Sequence, residues 1–189
     1  EQGPAQLTRR SVAAAVVAAA LTASAVVLIV AWRALGPRSG WFSLLAVWVP
    51  MTALGSVSHA VPFHLPARWH ALRHWELDGR RYEQLGVRQV ERVLRGPPFA
   101  WFNPGLHLPR ERSPEAIAAL AGRMMVAEAT HAALFAGTTL VATLEFVAGW
   151  WWAAGWMVVL NVAVNGYPVM LQRYNRAGLA TRYRSAAGD

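Results

Sequence analysis

The chain has 189 residues, 55% of them hydrophobic, with ten Trp and no Cys. Lacking Cys, it has no disulfide, thiol nucleophile or cysteine metal site, and its positive mean hydropathy suits a small polytopic membrane protein better than a soluble domain. The formal charge is +8 and every basic residue is Arg; these lie between apolar runs with no nucleic-acid-binding signature, so the expected partners are membrane lipids and not nucleic acid.

The first apolar run extends from Ser11 to about Trp32 with no charge inside it. Arg9-Arg10 precede it, as in a secretory signal, but it is longer than a typical signal core, so a retained span is expected. The second run, Trp41 to about Val61, contains Pro50 and Gly55, which membrane bundles tolerate when neighbours satisfy the backbone. A third helix is predicted to start at Ser113, with Pro114 and Glu115 in its first turn, and to run to about Val147. A fourth span covers Trp150 to about Leu171. Each can cross a hydrocarbon core of about 30 Å.

Arg residues dominate the segments before the first span, between the second and third, and after the fourth. None lies between the third and fourth, where Trp150, Trp151, Trp152 and Trp156 suit an aromatic belt. The positive-inside rule then predicts a multi-pass cell-membrane protein with both termini cytoplasmic. The expected architecture is all-α and polytopic: one membrane domain over 1–189, with four transmembrane helices at 11–32, 41–61, 124–147 and 150–171 and a cytoplasmic segment at 63–123. Within that segment Val87, Val90, Val93 and Leu94 form an apolar stripe after Gly86, as in a short amphipathic helix. The stretch Pro97-Pro98-Phe99-Ala100-Trp101-Phe102-Asn103-Pro104 cannot be a regular helix and is expected to dip into the headgroups.

Glu128 and His131 are ionisable groups inside an apolar helix, three residues apart and so on one face. A carboxylate can hold an imidazole in one tautomer and leave its other nitrogen free to move a proton. Counting back about twenty residues from Val147 puts Glu128 near the inner interface. Asn161, Asn165, Pro168 and Gln172 recur at helical spacing on the fourth span, which predicts a polar pocket at the same depth. Arg173 and Arg176 follow and suit phosphate, although positive-inside anchoring accounts for them equally well. Glu145 is expected to be solvated. Glu128-x-x-His131 and His70-x-x-x-His74 are weak metal signals, since no second E-x-x-H and no H-E-x-x-H is present. No metal or cofactor is expected. Three readings stay open: an enzyme using the Glu–His pair, a non-catalytic membrane subunit whose polar groups join helices, and a membrane metalloenzyme acting on a lipid.

Three blocks narrow the choice. Ala127-Glu128-Ala129-Thr130-His131, the closing run Asn165-Gly166-Tyr167-Pro168 through Gln172-Arg173-Tyr174-Asn175-Arg176, and more loosely Trp75 to Arg88 resemble, in order, blocks of the glycosyl-4,4'-diaponeurosporenoate acyltransferases. The chain departs from them at Ala177-Gly178-Leu179, where the family often has Pro-Arg-Leu, and at Gln89-Val90, where it usually has Trp-Lys. The resemblance implies transfer of a fatty acyl group from acyl-CoA or another acyl thioester to a sugar hydroxyl of a glycosylated carotenoid or similar lipid. It implies His131 as general base and Glu128 as its orienting carboxylate. It also implies Asn165, Gln172, Arg173, Asn175 and Arg176 as substrate-binding residues.

Overall fold

The computed structural model describes residues 4–97 and 113–185. Two long helices, α1 (Pro4–Leu35) and α2 (Gly40–Ala60), come first. Short elements follow: α3 (Ala67–His70), a 3-10 turn (His74–Glu76), α4 (Arg80–Gln84) and α5 (Val87–Arg95). Then come α6 (Pro114–Val147), α7 (Trp151–Asn161), a π-helical turn (Val162–Gly166) and α8 (Tyr167–Ser185). Among the described residues there is no strand. Among the described residues four stretches are long and apolar enough to cross a membrane: Ser11–Leu35, Gly40–Ser58, Pro114–Val147 and Trp151–Arg182. The chain is thus an all-α polytopic membrane protein, as its hydropathy predicts. The proline–aromatic stretch after Pro97 lies outside the described residues.

The helices depart from the expected spans in two ways. α1 begins upstream of the apolar run and takes Arg9 and Arg10 into the helix. α6 starts where its cap predicts, with the Ala116 N–H donating to Ser113 Oγ at 3.2 Å. The fourth span is not one regular helix, because a π turn separates α7 from α8. A π turn is wider than an α turn and brings residues four apart closer to alignment, and such insertions recur at functional sites.

Packing divides the chain into two compact units, Glu1–Phe63 with Thr130–Gly166, and His64–Ala129 with Tyr167–Asp189. In the first, α1 packs on α2 and α2 on α7. Val47, Ala142 and Met157 form its core, joined by Ala46, Leu160 and Val164. Ser43 Oγ donates to the Ala153 carbonyl at 3.3 Å. The apolar residues of α1 are mostly exposed, as befits a helix solvated by lipid. Trp151, Trp152 and Trp156 are also exposed, and the Arg38 guanidinium sits 5.4 Å over the Trp150 ring.

In the second unit the segment after residue 63 is folded against α8. Tyr82, Val87 and Leu171 form a core with Trp75, Leu94, Tyr167, Met170 and Tyr174, and Leu120, Met124 and Leu179 form another. The α5 stripe is used unevenly: Val87 is buried and Leu94 packs on the core, while Val93 is exposed. Gly79 (φ 70°) and Gly86 (φ 79°) precede α4 and α5 in the left-handed region, which only glycine enters at low cost. Gly79 also lies against the Tyr174 ring.

Candidate functional site

Two polar networks stand out, one in each unit. In the second unit Arg173, on α8, is surrounded by acceptors. Its Nε donates to Glu76 Oε1 at 2.6 Å and its Nη2 to Glu76 Oε2 at 2.8 Å. Nη1 donates to Glu128 Oε1 at 2.7 Å and to the Trp69 carbonyl at 2.8 Å, and Nη2 also to the Ala71 carbonyl at 3.0 Å. A guanidinium has five N–H groups, and all of them are engaged. Arg176, one turn on, donates from Nη1 to Glu128 Oε2 and from Nη2 to the His70 carbonyl, both at 2.5 Å.

Both carboxylates are buried. Glu76 also accepts from the Tyr82 hydroxyl and, at 2.7 Å, from the Arg73 N–H. Burial pushes the Glu76 carboxyl up, but the hydrogen bonds from Arg173, Tyr82 and the Arg73 backbone outweigh it and hold the group at about 2. Burial and the adjacent Glu76 charge push the Tyr82 phenol up. Two carboxylates and two guanidiniums make a charge-balanced knot that ties the segment around residues 69–82 to α6 and α8.

The network of the first unit runs between α6 and the π turn. The Thr139 hydroxyl donates to the Phe135 carbonyl at 2.7 Å, so its oxygen accepts from Asn161 Nδ2 at 3.1 Å. Asn161 Nδ2 also donates to the Phe135 carbonyl at 2.9 Å. Asn161 Oδ1 accepts from Asn165 Nδ2 at 2.9 Å, which leaves Asn165 Oδ1 facing His131 Nδ1 at 3.2 Å. Since that oxygen can only accept, His131 carries its proton on Nδ1, and Nε2 keeps its lone pair. Thr139 also lines an open apolar groove of about 450 Å³ with Ala142, Phe146, Trp151 and Val158.

The spacing argument predicted one pair, and the structure gives each member its own partners. Glu128 is held by Arg173 and Arg176, while His131 is oriented by Asn165. Spacing predicts a shared helix face but cannot weigh guanidiniums forty-five residues away in sequence against a neighbouring imidazole. Of the other predicted binding residues, Gln172 and Asn175 are half-buried, and Asn175 Nδ2 is buried with no partner among the described residues. Glu145, expected to be solvated, is buried. His70 is buried and His74 exposed, and among the described residues no group of three or more His, Asp or Glu could hold a metal ion. Sequence reasoning missed Glu76 and Tyr82, and read His70 only as a weak metal signal. The available signal was an acid flanked by Trp75 and Leu77 in an arginine-rich segment, since an acid among apolar side chains needs a cationic partner.

Fold and networks together define a helical membrane protein that keeps buried charge and a one-way amide relay. Over residues 66–184 the chain matches the family of glycosyl-4,4'-diaponeurosporenoate acyltransferases, and it belongs to that family. The protein is therefore an acyltransferase of the carotenoid-biosynthesis type, and the matched residues include both networks while leaving out α1 and α2. No curated protein and no solved structure matches the chain.

Proposed function

We propose that this protein transfers a fatty acyl group from an acyl thioester, acyl-CoA in the first instance, to a sugar hydroxyl of a glycosylated carotenoid or a similar glycolipid. The reaction takes place at the cytoplasmic face of the cell membrane, with both termini cytoplasmic. The observation that carries this reading is the lone pair left on His131 Nε2 by the Asn161–Asn165 relay. In the proposed step Nε2 takes the proton of the sugar hydroxyl as its oxygen attacks the thioester carbonyl carbon. The tetrahedral intermediate then expels the thiolate, which recovers the proton from the imidazolium. One C–O bond forms, one C–S bond breaks, and no acyl-enzyme or cofactor is needed. General-base help of this kind is worth about 10²–10⁴ in rate.

The remaining parts are assigned by chemistry. The groove beside Thr139 suits an apolar tail. The exposed Arg68, Arg80 and Arg92 of the second unit suit the phosphates of CoA. Glu128 and Arg173 act as a structural clamp. A non-catalytic subunit is the second reading, favoured by the hydrogen-bonded burial of Asn161 and Asn165, which is what helix-joining residues show. The test is His131→Ala in cells that make the glycosylated pigment, with lipids analysed by mass spectrometry. The fatty ester should disappear while the variant still accumulates in the membrane; retained ester would sink the catalytic role.

A further inference from the structure

His131, Phe135, Thr139, Ala142 and Phe146 recur along α6 in steps of three and four, so they share one helix face. On α7 and its end, Trp151, Ala154, Val158 and Asn161 do the same. The two faces meet, since Asn161 Nδ2 donates to the Phe135 carbonyl and to Thr139 Oγ1. The open groove of about 450 Å³ lies along this seam, on the side of Thr139 away from His131. At about 1.5 Å per residue it begins roughly 12 Å beyond His131, at Thr139, and ends roughly 22 Å beyond it, at Phe146. There Phe146 packs edge-on to Trp151, 4.7 Å between centroids, beside the turn that joins the two helices.

The lining decides what fits. The Thr139 and Thr143 hydroxyls donate to carbonyls of their own helix, at 2.7 and 2.9 Å, so neither is left to anchor a headgroup. The fitting occupant is a hydrocarbon chain. A fatty chain spans about half of a 30 Å hydrocarbon core, or about 15 Å. With its thioester carbonyl at His131, such a chain ends inside the groove, and a longer one meets the Phe146–Trp151 pair. The acceptor's polyene is set back from the reacting hydroxyl by its sugar and does not start at His131. Gly155 is a notch in this lining. It lies within α7, its φ is not positive, and a Cβ added to it would meet nothing within 4 Å. Glycine inside a helix costs stability relative to alanine, and in membrane helices small residues ordinarily serve close helix packing. Neither backbone geometry nor packing calls for glycine here. Its missing side chain keeps the groove open between Trp151 and Val158, and a second hollow of about 330 Å³ beside Trp152 and Trp156 also opens onto it.

We propose that this α6–α7 seam holds the acyl chain of the thioester donor, and that Gly155 is a specificity-determining residue that sets the chain length accepted. The donor rests on the acyltransferase reading; chain binding does not need the reaction to occur. The test uses membranes from cells that make the glycosylated pigment, supplied with equimolar dodecanoyl-CoA and octadecanoyl-CoA, with the esters measured by mass spectrometry. Gly155→Leu should shift the ester ratio about tenfold toward the dodecanoyl product, because the new side chain displaces methylenes of the longer chain. Gly155→Ala should shift it less and in the same direction, and it decides the matter if the leucine variant does not fold. An unchanged ratio, or an equal loss of both esters, would overturn the proposal.

Binding is read separately, on the full chain in phosphatidylcholine nanodiscs, with an octadecanoyl-CoA that carries a photoreactive diazirine at its chain end. Its crosslinks should fall on residues 151–159, fade under excess octadecanoyl-CoA, and weaken about tenfold in Gly155→Leu. Crosslinks elsewhere, or ones that the excess leaves unchanged, would mean that bulk lipid fills the groove, and the proposal fails. If no ester forms from either donor while the competed, Gly155-dependent crosslinks remain, the acyltransferase reading falls and the chain-binding groove stands.

Discussion

His131 Nδ1 lies 3.2 Å from Asn165 Oδ1, and the Asn165 amide is fixed in that orientation by its own bond to Asn161. A hydroxyl two turns along α6 thereby decides which nitrogen of His131 is basic. Asn165→Leu should break this relay and let the ring choose its tautomer. Misorientation alone costs about 10²-fold in kcat. Asn165→Asp keeps an acceptor for Nδ1–H and should retain more activity than the leucine variant. Single-turnover acylation by both variants checks the order; equal losses would remove orientation as the role of Asn165.

The acid limb of stability should report on Glu76. Its folded-state value, about 2, lies below the ordinary 4.5. A depressed carboxyl contributes stability that is fully present above its unfolded value and is lost as pH falls through the folded one. The loss should begin below about pH 4.5 and approach completion near pH 2. Glu76→Gln should lower the melting temperature at neutral pH and flatten this limb, as followed by circular dichroism in detergent. A variant with an unchanged acid limb would show that Glu76 is not the group responsible.

Gly79 and Gly86 separate conformational cost from steric cost. Each has a positive φ, so alanine at either pays about 1–2 kcal/mol. At Gly86 an added Cβ meets only side-chain atoms at 3.8 Å or beyond, whereas at Gly79 it would sit 2.8 Å from Tyr174 Cε2. The Tyr174 ring packs edge-on to Tyr82, 6.3 Å between centroids, and has little room to retreat. Gly79→Ala should therefore be worse than Gly86→Ala by about 1–3 kcal/mol, the usual cost of overpacking. Paired thermal melts in one detergent measure the difference.

The helices were legible because apolar length and arginine placement are properties of contiguous sequence. The start of α6 was readable from Ser113-Pro114-Glu115 and that of α5 from Gly86. The π turn was not, because it depends on how Asn161 and Asn165 meet groups on α6. The site was half legible. Glu128, His131, Asn165, Arg173 and Arg176 could be picked out as costly polar groups near a membrane, but their pairing could not. Arg173 reaches back to Trp69, Ala71 and Glu76 across about a hundred residues, and nothing periodic in the sequence marks that closure.

Arg173→Lys tests that closure most sharply. If Arg173 served mainly to bind the phosphates of an acyl-CoA donor, lysine would keep the charge and chiefly raise KM for the donor. The structure predicts another outcome. All five N–H groups of Arg173 are committed to Glu76, Glu128 and two carbonyls, which leaves none for phosphate. An ammonium offers three donors without the planar fork, so lysine would leave buried carboxylate oxygens unpaired. Breaking a buried ion pair in this way costs about 3–5 kcal/mol. The variant should melt well below the wild type, while its folded fraction shows a nearly unchanged KM for acyl-CoA. A normal melt with a raised KM would return Arg173 to the donor site.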